Sequence, residues 1–138
     1  MPNGIDLILA DHVFVDELFA QFDKTRDATL VGQIVGALVA HDDAEHGALY
    51  PLSLEVLDNA ALIAQFDQAH SRVKQIIEHL VQLEGQPLVE AVADLRVAVT
   101  AHVADEEKKL LPQLQKRATP AQLDELAARI DHVKQRAG

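Results

Sequence analysis

The sequence predicts an all-α protein, an up-down four-helix bundle with an additional C-terminal helix. Three observations carry that reading. Apolar residues recur with a period near 3.6 along almost the whole chain and rarely alternate as they would in a strand. Proline, glycine and short polar runs cut the pattern into five segments, of which the first four are long and joined by short connections, as antiparallel neighbours require. The 138 residues suffice for one domain with a real core, and with no cysteine that core must stand on packing alone.

Each segment has its own start and stop. The first helix is expected over about 5–21, with Ile8, Val15, Leu18, Phe19 and Phe22 as its apolar stripe and the polar run Asp23-Lys24-Thr25-Arg26-Asp27 after it. The second is expected over about 28–49, stopped by Pro51, because proline lacks the amide hydrogen and crowds the preceding turn. The third covers about 60–83, closed by Gly85 and Pro87, and the fourth about 88–111, ended or kinked by Pro112. Thr119-Pro120-Ala121-Gln122 then reads as a capping box with proline at the first helical position, opening a fifth helix over about 121–135. The organisation expected is one domain over 1–138, with the bundle over about 5–115 and the extra helix over about 120–136.

Charge and composition narrow the partners. A formal charge of -10, with twelve Lys and Arg scattered without a run, repels phosphate backbones and anionic lipid, so neither nucleic acid nor membrane is an expected partner. The first apolar stretch, Ile5 to Phe19, is interrupted by Asp6, Asp11, Asp16 and Glu17 and lacks a basic leader, so it reads as neither a signal peptide nor a membrane span. The expected setting is cytoplasmic and the expected partner a small ligand. Without cysteine there is no thiolate chemistry, which leaves carboxylates and seven histidines.

The histidines fall into a repeat. His41-Asp42-Asp43-Ala44-Glu45 leads to Leu49-Tyr50-Pro51, and 61 residues later His102-Val103-Ala104-Asp105-Glu106 leads to Leu110-Leu111-Pro112. Residues 9–51 and 67–112 each hold a helix with one histidine near its start, His12 or His70, followed 29 or 32 residues later by His-x3-Glu. On a helix, positions i and i+4 differ by about 40° and about 6 Å, so His41 with Glu45 and His102 with Glu106 project from one face. Apolar neighbours in phase turn those faces inward: Leu38 and Ala48 beside His41, Val99 and Leu110 beside His102, Ile8 and Val15 beside His12, Phe66 and Val73 beside His70. Composition alone yields about half of one His-x3-Glu pair by chance, so the weight lies in the shared Leu-x-Pro ending and the preceding partner histidine. Buried carboxylates without a countercharge cost several kcal/mol. Two metal ions would supply it, with carboxylates between them and imidazoles on the outer sides. Imidazole and carboxylate without thiolate suit iron or manganese, and ligand type also admits zinc.

These residues also resemble a known family. The stretches DHVFVDELF, HDDAEHGALYP, AHSRVKQII and HVADEEKKLLP are similar to the hemerythrin family, in particular its bacterial hemerythrin-like HHE cation-binding domains, over about 5–115. The resemblance implies a four-helix bundle with an oxo- or hydroxo-bridged pair of iron ions, manganese or zinc ranking behind iron. It implies His12, His41, Glu45, His70, His102 and Glu106 as the metal ligands, both glutamates bridging. The oxygen-carrying hemerythrins have a second histidine four residues after the one matched by His70, where this chain has Lys74. They end with His-x4-Asp, where this chain has Glu107. The resemblance with these departures implies redox chemistry on a small ligand such as peroxide, nitric oxide or dioxygen rather than oxygen carriage, and the enzyme class stays open. A metal-, redox- or oxygen-sensing module acting through a partner protein is the alternative.

The other polar residues have plainer readings. His46 lies about 140° from His41 and His79 about 180° from His70, so both are expected to point away from the site. His132 belongs to the outer helix. Tyr50 lies about 180° from His41 on an ideal helix, yet a turn distorted by Pro51 could swing its phenol inward, and it is retained with Lys74 as a candidate catalytic residue. Asp16 and Lys74, each four residues after a ligand histidine, read as solvated rim charges, and Glu107 as an exposed acid.

Overall fold

A computed structural model describes residues 2–137. Among them the chain forms seven α-helices, one π-helical turn and no strand. These are α1 (Gly4–Thr25), α2 (Thr29–Ala44), the π turn Glu45–Leu49, α3 (Tyr50–Leu57), α4 (Ala60–Leu80), α5 (Gly85–Lys109), α6 (Leu111–Arg117) and α7 (Pro120–Ala137). The all-α expectation holds. Because α3 continues α2 through the π turn and α6 continues α5 past Leu110, the segments make five rods.

The ends differ from the sequence expectation where a cap outweighs polarity. Asn3 and Asp6 form a reciprocal capping box at the start of α1, and the polar run after Gln21 does not end the helix. It ends at Thr25, because Arg26 enters the left-handed region at φ 56°. Helix α4 ends at Leu80, three residues early. Helix α5 begins at Gly85, ahead of Pro87, which sits in the first turn where amide hydrogens have no intrahelical partner anyway. The Thr119 and Gln122 box that opens α7 is present, with Thr119 N–H donating to Gln122 Oε1 at 2.9 Å and Gln122 N–H to Thr119 Oγ1 at 3.1 Å.

Pro51 does not stop the second helix. The turn before it widens so that Tyr50 N–H reaches Glu45 O, five residues back, and the helix resumes as α3 until Asp58 turns left-handed at φ 51°. Widening carries the preceding carbonyls away from the proline ring. Pro112 acts differently: Leu110 takes φ -107°, the regular helix is interrupted there and α6 follows.

Helix α1 packs on α2 and α5, α4 on α5, and α7 across α1, α2 and the π turn. Helix α7 lies close. A Cβ on Gly4 would stand 2.2 Å from Leu126 Cγ, and one on Gly47 3.1 Å from Val133 Cγ2. Two apolar cores result, one holding Ile8, Ala44, Phe66, Leu110 and Ile130, the other Val15, Leu38, Leu95 and Val99. On the four long rods His12, His41, His70 and His102 each stand between residues of the two cores, so the histidine level is a polar layer between apolar ends. No helix among the described residues is long and apolar enough to cross a membrane.

Candidate metal centre

The inward stripes bring all six sequence-derived ligand candidates together. His12 comes from α1, His41 from α2, Glu45 from the π turn, His70 from α4, and His102 and Glu106 from α5, and all six are buried. Their side-chain atoms form two clusters, His12, His41, Glu45 and Glu106 in one and Glu45, His70, His102 and Glu106 in the other. Each glutamate sends one oxygen to each cluster. Glu45 Oε2 lies 3.2 Å from His41 Nε2, while Glu45 Oε1 lies 2.8 Å from His70 Nε2 and 3.6 Å from His102 Nε2. Glu106 Oε1 lies 3.2 Å from His12 Nε2, and Glu106 Oε2 3.3 Å from His102 Nε2.

The donor atoms fit a pair of cations. Among the described residues, Nε2 of His12, His41 and His102, together with Glu45 Oε2 and Glu106 Oε1, are buried with no hydrogen-bond partner. Native interiors seldom strand so many polar atoms in one place, and two positive ions would satisfy all of them. In the metal-free protein, protons on His41 and His102 take part of that role. Burial opposes a charged imidazole, yet the neighbouring Glu45 charge and the hydrogen bond to Asp11 raise His41 to about 10. Burial likewise opposes charge on His102, which Glu106 and Glu45 raise to about 9. Burial would raise Glu45, but the charge of His41 and the hydrogen bonds around it hold it well below the usual carboxylate range.

A ring of carboxylates stands outside the imidazoles, each acid on the helix next to the histidine it serves. His41 Nδ1–H donates to Asp11 on α1 (3.0 Å), His70 Nδ1–H to Asp42 on α2, and His12 Nδ1–H to Glu107 on α5 (2.7 Å). Such partners fix the tautomer that leaves Nε2 free for a metal. The ring breaks once, since buried His102 Nδ1 has no partner among the described residues. Two lysines back the ring, Lys134 of α7 on Asp11 and Lys74 on Asp42 at 3.4 Å.

Several outer residues take places that the sequence left open or read otherwise. Tyr50 points in: its hydroxyl donates to Glu106 Oε2 at 2.9 Å and lies 3.2 Å from Glu45 Oε1 and 2.9 Å from His70 Nε2. The π turn explains this, because inserting one residue into the turn cuts the offset from His41 from about 180° to about 80°. Burial and the two glutamate charges push its phenol far above the usual range. Glu107 is not a free acid but the partner of His12. His46 is exposed, as expected of a surface histidine, yet it is not free of the site. Its Nε2 lies 2.7 Å from Asp67 and its Nδ1 3.2 Å from Asp42, and its ring stands edge-on to His70 at 4.8 Å. His79 and His132 are exposed, the latter on the outer helix, as expected of both. The Lys74 side chain is 63% exposed and pairs with Asp42, while Asp16 pairs with Arg96 at 3.2 Å, both at the rim. Asp11, Asp42 and Lys134 escaped the sequence reading. The available signal was adjacency: Asp11-His12, His41-Asp42 and Glu106-Glu107 each set an acid about 100° from an inward ligand, facing the next helix.

The chain is 20% identical to a hemerythrin HHE cation binding domain-containing protein of Mycobacterium kansasii, whose crystal structure it matches with a TM-score of 0.82 over 99% of this chain and 90% of that one. Comparison with curated proteins gives no match. The hemerythrin HHE cation binding domain matches residues 3–135, nearly the whole length, and the chain belongs to that family.

Proposed function

We propose that this protein is an up-down four-helix bundle, single-domain over 1–138 with α7 as the outer helix, that holds an oxo- or hydroxo-bridged pair of iron ions and reacts with a small ligand, peroxide or nitric oxide ahead of dioxygen, in the cytoplasm. His12 and His41 serve one ion, His70 and His102 the other, and Glu45 and Glu106 both. The observation that carries this reading is that each buried glutamate directs one oxygen into each cluster. When bound, the pair of ions supplies Lewis acidity and two exchangeable electrons to a ligand oxygen or nitrogen.

The chain's own residues argue for turnover over carriage. Tyr50 stands where it can give the second cluster a third oxygen donor, a role open because Lys74 turns to Asp42 at the rim. A hard, potentially anionic oxygen favours the more highly charged state of a metal over reversible binding. Tyr50 is thus the residue to test. In Tyr50→Phe, two irons per chain are expected to remain, the long-wavelength colour of a phenol oxygen on ferric iron to disappear, and peroxide consumption to fall about tenfold, about 1.4 kcal/mol. Reversible oxygen binding by the wild type, with no turnover of peroxide or nitric oxide, would overturn the reading.

The contact of Lys134 with Asp11, and of Asp11 with His41, supports the sensing alternative, since it ties α7 to the first cluster. That alternative expects proteolysis within α7 to change with the state of the metal pair and needs no turnover.

A further inference from the structure

A cavity of about 170 Å³ lies against the faces of His12, His41, His70 and His102. It sits on the side of the histidine layer away from Tyr50. Apart from those imidazoles, its wall is aliphatic, with Val15, Leu38, Val73, Ile77, Val99 and Val103. Charge appears only with Asp42, Asp43 and Lys74 of α2 and α4, where exposed Val39 also stands. Hydrogen peroxide, nitric oxide and dioxygen are each about as large as a water molecule or two, and one water takes about 30 Å³. None of them needs this space. An apolar cavity of about 150 Å³ is large enough for a benzene ring. The pocket therefore has an oxygen-binding end formed by the proposed metal pair and an aliphatic end with room for several carbons.

Resting on the peroxide reading above, we propose that the substrate class is the organic hydroperoxide, R–O–O–H, with a compact branched or aromatic R seated among Val73, Val99 and Val103. The O–O bond breaks as the substrate takes up two protons and two electrons and leaves as R–O–H and water. A chemically reduced pair of ions held by the four histidines and two glutamates would supply the two electrons, and solvent the two protons. The aliphatic wall contributes selectivity: burying a hydrocarbon group there gains free energy that hydrogen peroxide cannot.

The test compares cumene hydroperoxide with hydrogen peroxide on the iron-loaded, reduced protein under anaerobic single-turnover conditions, and separately reads the binding of unreactive cumyl alcohol. Expected are a second-order rate for cumene hydroperoxide at least about tenfold above that for hydrogen peroxide, and a fall of that ratio by about tenfold or more in Val73→Phe. In the zinc-loaded wild type, cumyl alcohol should shift the methyl resonances of Val73, Val99 and Val103 and leave those of Leu114 and Ile130, in the other core, in place. This measurement stands even if Val73→Phe does not fold. Fast reaction with hydrogen peroxide, equal or slower reaction with cumene hydroperoxide and still methyl groups would overturn the inference and leave the peroxide reading standing. Reaction with neither peroxide would overturn both.

Discussion

In the first helical hairpin the stretch from His41 to Pro51 runs through a π turn and delivers Tyr50 to the polar layer. In the second, the stretch from His102 to Pro112 stays α-helical to Lys109 and is interrupted at Leu110, with Leu111 in an apolar core. The spacing His-x3-Glu-x5-Pro is the same in both. What differs are the side chains between the shared positions. Asp42, beside His41, holds His70, whereas Val103, beside His102, lines the cavity. His46 packs on His70, whereas Glu107 at the matching place holds His12. A duplicated pattern thus yields an asymmetric centre, with a phenol and an acid-held His70 in one cluster and an unsupported His102 Nδ1 beside them. Spacing sets which residues face inward, and the residues between decide what each ion would meet.

The sharpest way to break this picture is to remove what the hairpins share. Glu45→Ala or Glu106→Ala should each lose both metals and not one, because each glutamate has an oxygen in each cluster and a remaining ion would be left with uncompensated neighbours. Metal analysis after dialysis checks this, and one tightly held iron in either variant contradicts bridging. Next come the outer acids. Asp42→Asn takes from His70 the partner that His102 never had, and should lower metal affinity about 10- to 100-fold. Competition with a chelator measures this, and an unchanged affinity would mean that the outer ring is ornamental.

A smaller effect is expected from pH in the metal-free protein. His41 and His102 are raised to about 10 and about 9 from 6.5, so folding takes up protons that the unfolded chain would not hold above about pH 6.5. Their contribution to stability is complete below that pH and is lost as pH rises through 9 and 10. The melting temperature should fall by several degrees over that range, and should hold level in the metal-loaded protein, where cations replace the protons. A flat profile for the metal-free form would indicate that the carboxylates are not charged there. The smallest change belongs to His46→Gln. His46 reaches His70 through Asp42 and by edge-on packing of its ring, and Lys74 also holds that acid, so a loss of metal affinity of about threefold or less is expected. A loss as large as that of Asp42→Asn would move His46 from support to ligand.

Much of this was legible in the chain. The five rods, the capping box at Thr119 and the inward faces of His12, His41, Glu45, His70, His102 and Glu106 follow from a 3.6-residue period, which is local physics: a residue's place around its own helix depends only on its neighbours along the chain. The family match over residues 3–135 agrees with the resemblance drawn from the same histidines and glutamates.

What only the tertiary structure decided are the relations between helices. That Asp11 meets His41, Asp42 meets His70, Glu107 meets His12 and Lys134 reaches back across the chain to Asp11 depends on which helices lie side by side and at what height. No period along one helix encodes that. The places of Tyr50, for which the sequence left an inward swing open, and of His46, which stays exposed but packs on His70, were decided for a related reason. The sequence marked a strain at Pro51, but whether the chain would relieve it by stopping, kinking or widening the turn depended on the surroundings. Close packing of Val133 of α7 against Gly47, together with the buried carboxylates that accept the Tyr50 hydroxyl, accompanies the wide turn in the first hairpin. The second hairpin, with Lys108 at the matching place, has no wide turn and is interrupted at Leu110 instead.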